Sequence, residues 1–228
     1  TELLGIKGIE KEGYEADDII GSLCQFGVDQ QLEVVIVSGD KDFAQLINPQ
    51  VTMHDTMKDK TYDVEGVLEK WGVHPDQFID YLAITGDASD NIPGVKGIGP
   101  KGAQKLLSQF SSLDGIYENI GLIKTPSQQK KLNESKESAY LSKKLVEIVK
   151  DLDLVKTLDD LKLCPIKSEA LGELLDELEF SSFKKNLVGS SATTQSSIAK
   201  KRPSLSLEQK EVDVSALKKN LKNRDSLF

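Results

Sequence analysis

The hydrophobic positions of this chain change period as it runs. From Tyr14 onward, EADDIIGSLCQFGVDQQ sets Ile19, Ile20, Leu23 and Cys24 on one side of a helix, with Glu15, Asp17 and Asp18 in its first turn. Glu33–Ser38, EVVIVS, is a short β-branched run that is apolar on both faces, which predicts a buried parallel strand. The loop Gly39-Asp40-Lys41-Asp42 follows, then a short apolar helix over Phe43–Ile47 that must stop before Pro49. Val51–Asp55 and Lys60–Tyr62 predict short strands or a hairpin about Met57–Asp59. Asp63 caps a helix through Leu68 and Trp71 that Gly72 ends, and Pro75 opens another carrying Phe78, Ile79 and Leu82.

Beyond that point the period is helical. Ala103–Phe110, Leu113–Ile120, Gln128–Val149 and Glu169–Leu187 each predict a helix, while Asp151–Leu163 is a polar connector with room for one short strand. Residues 1–13, rich in Gly and Glu, predict a frayed lead-in. After Leu187 the run GSSATTQSS predicts a flexible linker, and Leu205–Phe228 is too thinly hydrophobic to form a core. The order of elements predicts an α/β fold: a parallel-sheet core giving way to a helical half. Three regions follow, 1–80 for the sheet core, 81–187 for the helical part and 188–228 for a linker or tail.

Composition excludes several classes. With 228 residues, the chain suits one large domain or a domain plus a tail. No apolar run reaches the roughly 18–20 residues needed to span a bilayer, and the N-terminus is no secretory signal. Cys24 and Cys164 are too few for a disulfide framework and lack metal spacing, which fits a reducing cytoplasm. The formal net charge of −8 disfavours indiscriminate nucleic-acid binding but leaves room for a locally basic groove. The chain has no initiator Met, so a segment of a longer protein is expected.

Acids recur at element ends. Glu15 and Asp18, at i and i+3, share a helical face, with Asp17 about 100° around; the helix dipole alone would favour acids there. Asp40 and Asp42 lie at the carboxyl end of the predicted parallel strand, where open α/β sheets bind ligands, and Asp87 and Asp90 form a third pair. Seven neighbouring carboxylates repel unless cations neutralise them, and an oxygen-only donor set suits Mg²⁺ or Mn²⁺ over Zn²⁺. Two ions about 3.5–4 Å apart would serve phosphodiester hydrolysis.

Directly after Asp90 comes a glycine hairpin, PGVKGIGPKGA. Gly97 and Gly99 permit positive φ and close approach, the next helix would aim its first amides at a phosphate, and Gly94 and Gly102 join them as candidate DNA-binding positions. Lys96, Lys101 and Lys105 add charge on the same side, so the hairpin predicts sequence-independent duplex binding.

YEADDIIGSL, VVIVSGDKDFAQL and DYLAITGDASDNIPGVKGIGPKGAQKLL resemble, in order, the signature blocks of the 5′ nuclease family. That family comprises the 5′→3′ exonuclease domain of bacterial DNA polymerase I and the flap endonucleases. LLDELEFSSFKKNL is similar to its closing segment, so the resemblance runs from about Gly5 to Leu187. It implies a PIN-like core, here incomplete, followed by a helix-3-turn-helix, and cleavage of 5′ flaps and nicked or gapped duplex in replication and repair. Glu15, Asp17, Asp18, Asp40, Asp42, Asp87 and Asp90 would then surround two metals, with Asp40 and Asp87 as direct ligands. The resemblance also implies a monovalent cation, K⁺, on the carbonyls of Val95 and Ile98, and a polymerase region in cis beyond the tail. The family's early aspartate-ended strands and basic arch have no counterpart before Thr1, so weak or no activity is expected of the isolated chain. Gly102 stands where the family commonly has threonine. Two rivals are a non-catalytic duplex-binding module and a Toprim-like site, which has no reason to carry this hairpin.

Overall fold

The computed structural model describes residues 1–187; the linker and tail expected over 188–228 lie outside the described residues. Helix α1 spans Ala16–Asp29 and is capped by Glu15, whose side chain and that of Asp18 exchange bonds with each other's backbone. Strand β1, Val34–Val37, runs parallel to β2, Val51–Asp55, in the register Val34 to Val51. Strand β3, Lys60–Tyr62, returns antiparallel to β2, closing the hairpin expected about Met57–Asp59. The sheet is therefore mixed, in the order β1-β2-β3.

One expectation fails at β1. Only Ile36 is fully buried, with Val34 partly buried against the core on the same face, while Val35 and Val37 are 60% and 66% exposed. Among the described strands β1 pairs with β2 alone, so the run is an edge and not a doubly covered strand.

Between β1 and β2 a 3₁₀ turn over Lys41–Leu46 buries Phe43, Ala44, Gln45 and Leu46. Helix α2, Val64–Trp71, starts on Asp63, which accepts the Gly66 N–H, and ends on Gly72 in the left-handed region. A ladder of rings then joins sheet to helices: Tyr62, Trp71, Phe78 and Tyr81, with successive centroids 5.5, 5.2 and 5.6 Å apart. Each such pair contributes about 0.5–1.5 kcal/mol beyond its burial.

Helix α3, Phe78–Thr85, is the axis of the helical half, burying six of its residues. One of them is Asp80, which accepts the Leu113 N–H and pairs with Lys143 at 2.9 Å, so its charge is compensated. Around it pack α4, Pro100–Phe110, α5, Leu113–Glu118, and α7, Lys136–Val146. Helix α6, Pro126–Glu134, precedes α7, so the single helix expected over Gln128–Val149 is two, broken at Ser135, and it stops at Val146. The connector after it forms a 3₁₀ turn at Leu158–Leu161 and no strand. Residues 7–163 make one compact unit holding this core.

Thr1–Ile6 and the described part of Cys164–Phe228 form a second unit. The lead-in is not frayed over its first six residues: the Gly5 carbonyl accepts the Cys164 N–H and that of Leu3 the Lys167 N–H, both at 2.9 Å. The helix expected over Glu169–Leu187 is again two, α8, Ser168–Glu177, and α9, Ser181–Leu187, parted at Glu179 with φ 58.

Candidate functional site

The folded chain gathers six of the seven expected acids on one cavity. Glu15, Asp17 and Asp18 come from the start of α1, Asp40 and Asp42 from the loop after β1, and Asp90 from the turn after α3. Gly13, Ile92 and residues 145–149 complete a space of about 590 Å³. The seventh, Asp87, is buried beside it: one oxygen each of Asp42, Asp87 and Asp90 lie within 4.8 Å of one another. Carboxylate oxygens at that spacing, with no nitrogen or sulfur donor, fit a hard divalent cation.

Local structure explains each placement. Asp40 caps the 3₁₀ turn, its Oδ1 accepting the Asp42 N–H at 3.0 Å, and this points Asp42 inward. Asp87 and Ile92 exchange backbone bonds of 2.9 and 2.7 Å, closing the turn that carries Asp90. Asp87 Oδ1 accepts the Ser89 N–H at 2.8 Å, and its Oδ2 takes the Lys41 ammonium. Asp18 is partly structural: Oδ1 accepts the Val149 N–H at 2.9 Å, tying α1 to the cavity's far wall.

The charges leave their mark on the acids. Burial, and after it the negative charge of Asp40, raises the pKa of Asp17. Burial pushes Asp42 up to about 6, with Asp40, Asp87 and Asp90 adding to the rise against the opposing pull of Lys41. Asp87 moves the other way, held down chiefly by its hydrogen bond from Lys41. Such crowding of like charge is what a bound cation relieves.

The hairpin follows within four residues. Gly86 and Gly94, both at positive φ, bring their backbones together so closely that a Cβ on Gly94 would lie 2.4 Å from the Gly86 nitrogen. Val95 and Ile98 turn their side chains into the core, and the Val95 N–H reaches the Ile84 carbonyl at 2.8 Å. Gly97 has φ 80, whereas Gly99 is at φ −94 and serves as the N-cap of α4. Among the described residues the N–H groups of Gly97 and Gly99 meet no acceptor. Lys96, Lys101 and Lys105 are exposed about them. A Cβ on Gly102 would meet Ile98 Cγ2 at 2.8 Å, which accounts for glycine there.

Three contacts went unforeseen. Ser138 donates to the Gly94 carbonyl at 2.9 Å and buried Ser142 accepts the Gly94 N–H at 3.0 Å, so α7 grips the hairpin from both sides. Lys131 donates to the Gly97 carbonyl at 2.9 Å. Of the carbonyls expected to hold a monovalent cation, that of Val95 accepts the Ile98 N–H at 3.0 Å. The only sequence signal for these residues is the i, i+4 spacing of Ser138 and Ser142.

An acidic cavity thus lies where β1 ends in an α/β core, and a glycine hairpin follows its last acid in the chain. Two family models match the chain in tandem: the 5′-3′ exonuclease N-terminal resolvase-like domain over residues 1–72 and the 5′-3′ exonuclease C-terminal SAM fold over residues 73–169. The chain belongs to the 5′-3′ exonuclease family. DNA polymerase I of Caldicellulosiruptor bescii is 47% identical to it over 212 residues, 90% of this chain and 25% of that protein. DNA polymerase I of Bacillus caldotenax is 40% identical over 199 residues, 86% of this chain and 23% of that one. The chain thus spans about a quarter of the length of these curated relatives. Its fold is similar to a mutant T5 5′-exonuclease, with TM-score 0.55 and 27% identity over 61% of this chain and 57% of that one. T5 5′-exonuclease bound to divalent zinc gives TM-score 0.56 and 27% identity over 61% and 52%. Among the described residues no helix is long and apolar enough to cross a membrane.

Proposed function

We propose that this chain is the 5′→3′ exonuclease and flap-endonuclease portion of a DNA polymerase I, hydrolysing DNA phosphodiesters at 5′ ends in replication and repair. The observation that carries the reading is the cavity itself, where acids from three separate elements converge and Asp42, Asp87 and Asp90 reach within 4.8 Å of one another. Two Mg²⁺ or Mn²⁺ ions, when bound, would supply positive charge to the attacking and leaving oxygens of a phosphodiester. Asp42, Asp87 and Asp90 would hold one side of that pair and Glu15, Asp17, Asp18 and Asp40 the other, with Asp40 and Asp87 as direct ligands. The free N–H groups of Gly97 and Gly99 receive a phosphate of the duplex, and Lys96, Lys101 and Lys105 flank it. K⁺ on the Val95 and Ile98 carbonyls would share the turn with the Lys131 ammonium, so it binds there only when a phosphate adds its own charge. A polymerase region would follow in cis downstream of the 188–228 tail, and the duplex carries a 5′ flap, nick or gap.

Asp40→Ala and Asp87→Ala, made in the native protein that carries this chain, test the reading on a 5′-flapped duplex. Cleavage in Mg²⁺ is expected to fall on the order of a hundredfold or more, with duplex affinity unchanged. A wild-type protein that binds the flap and never cuts in Mg²⁺ or Mn²⁺ sinks the nuclease reading. The second reading, a duplex-binding module without catalysis, would then stand on the clasp of the hairpin by α7.

A further inference from the structure

Lys41 sits between the two aspartates of its own loop and sends its ammonium into the acidic cluster. Its Nζ is hydrogen-bonded to Oδ2 of Asp87 and lies 3.8 Å from Oδ1 of Asp42. Those carboxylates belong, with Asp90, to the trio whose oxygens approach within 4.8 Å. Oδ1 of Asp42 is buried and accepts no hydrogen bond, so the positive charge it faces is that of Lys41. The Lys41 main chain cannot move far, because its 3₁₀ turn is capped by Asp40 and buries the next four residues up to Leu46 apart from Asp42. The side chain can, since 41% of it is exposed.

We propose that Lys41 is the resident counter-ion of the Asp42–Asp87–Asp90 cation site, offsetting part of its negative charge and swinging to solvent as a divalent ion enters. This rests on the divalent-metal reading given above. The opposite side of the cavity has no such occupant, since among the described residues no lysine or arginine forms an ion pair with Glu15, Asp17, Asp18 or Asp40. The two sides therefore load unequally. An ion at Asp42, Asp87 and Asp90 must displace an ammonium, and so binds more weakly than its neighbour.

Mn²⁺ titration calorimetry of the full chain tests this. Lys41→Met keeps the stem and deletes the charge, while Lys41→Arg keeps the charge. Solvent at the exposed lysine end screens the pair, so Lys41→Met is expected to tighten the weaker Mn²⁺ step by about tenfold and Lys41→Arg to leave it near wild type. A second readout needs no charge-deleting variant: in the wild-type chain the ¹⁵N signal of the Lys41 ammonium, identified by its loss in Lys41→Arg, should move to the position of a free lysine in step with Mg²⁺ saturation. Unchanged or weaker Mn²⁺ binding by folded Lys41→Met overturns the proposal, as does a Lys41 signal indifferent to saturating Mg²⁺. In both cases wild-type binding is intact, whereas a wild-type chain that takes up no Mn²⁺ defeats the metal reading beneath it.

Discussion

Asp55 sits at the end of β2 with its side chain 1% exposed, and it holds the hairpin turn together. Its Oδ1 accepts the N–H groups of Met57 and Lys58, each at 3.1 Å, and its Oδ2 takes the Lys58 ammonium at 2.6 Å. The hydrogen bond from Lys58 is the main force holding its pKa below the ordinary carboxylate value. A depressed folded-state pKa gives stability that is complete above the unfolded value of about 3.9 and is lost as pH falls through the folded value. Asp55→Asn should therefore be less stable than wild type at pH 7, and the gap should close below about pH 4. Urea denaturation at pH 7 and pH 3 decides it; an equal gap at both would show that the charge contributes nothing. Asp55 was not legible as a site residue, for a carboxylate ending a strand reads the same whether it is buried or solvated. The six acids of the cavity, and Asp87 beside it, were legible because they fall at element ends at fixed spacings, which composition alone would not produce. Lys41 was hidden by its neighbours: a lysine between aspartates reads as a surface charge until the fold brings Asp87 to it.

At the scale of elements, α7 has more connections than its sequence suggests. Ser142 is fully buried and accepts the Gly94 N–H. Ser142→Ala leaves that N–H without a partner, at a cost of about 1–3 kcal/mol. Ser138→Ala frees a carbonyl at a contact that is only partly buried and should cost less. Denaturant unfolding of the two variants side by side gives the order, and Ser138→Ala proving the more damaging would reverse it. Element types were legible where period and caps agree, as at Asp63, Gly72 and Pro75. Breaks were not. Gln128–Val149 keeps its apolar period across Ser135, and Glu179 enters the left-handed region with no glycine to announce it. The exposure of Val35 and Val37 was equally invisible, because a β-branched run is the same string at a sheet's edge as at its centre. The pairing of Gly5 with Cys164 escaped for another reason: no local pattern reports a partner so distant in the chain.

For the molecule as a whole, the unit of residues 7–163 behaves as one core, and Cys24 reports on it. Burial pushes its thiol up to about 11, against a small opposing pull from Lys150. A raised thiol pKa means the protonated, unreactive form below that value, whereas Cys164 is exposed. Iodoacetamide at pH 8 should alkylate Cys164 alone in the native chain and both cysteines in urea, as mass spectrometry of the tryptic peptides will show. Rapid native labelling of Cys24 would mean that the core opens. The same unit also carries a fixed length. Ser138, in the first turn of α7, and Ser142, at its middle, hold Gly94, while at and just past its C-terminal end the Gln45 side chain grips Val146 and Ile148 and Asp18 takes the Val149 N–H. From Ser138 to Val146 the helix climbs eight residues, a strut of about 12 Å, between three and four base-pair steps of duplex DNA. On the proposed function, the gap between where the strand is held and where it is cut is a length written in the protein. The nucleotide severed is then found by measurement, with no base needing to be read.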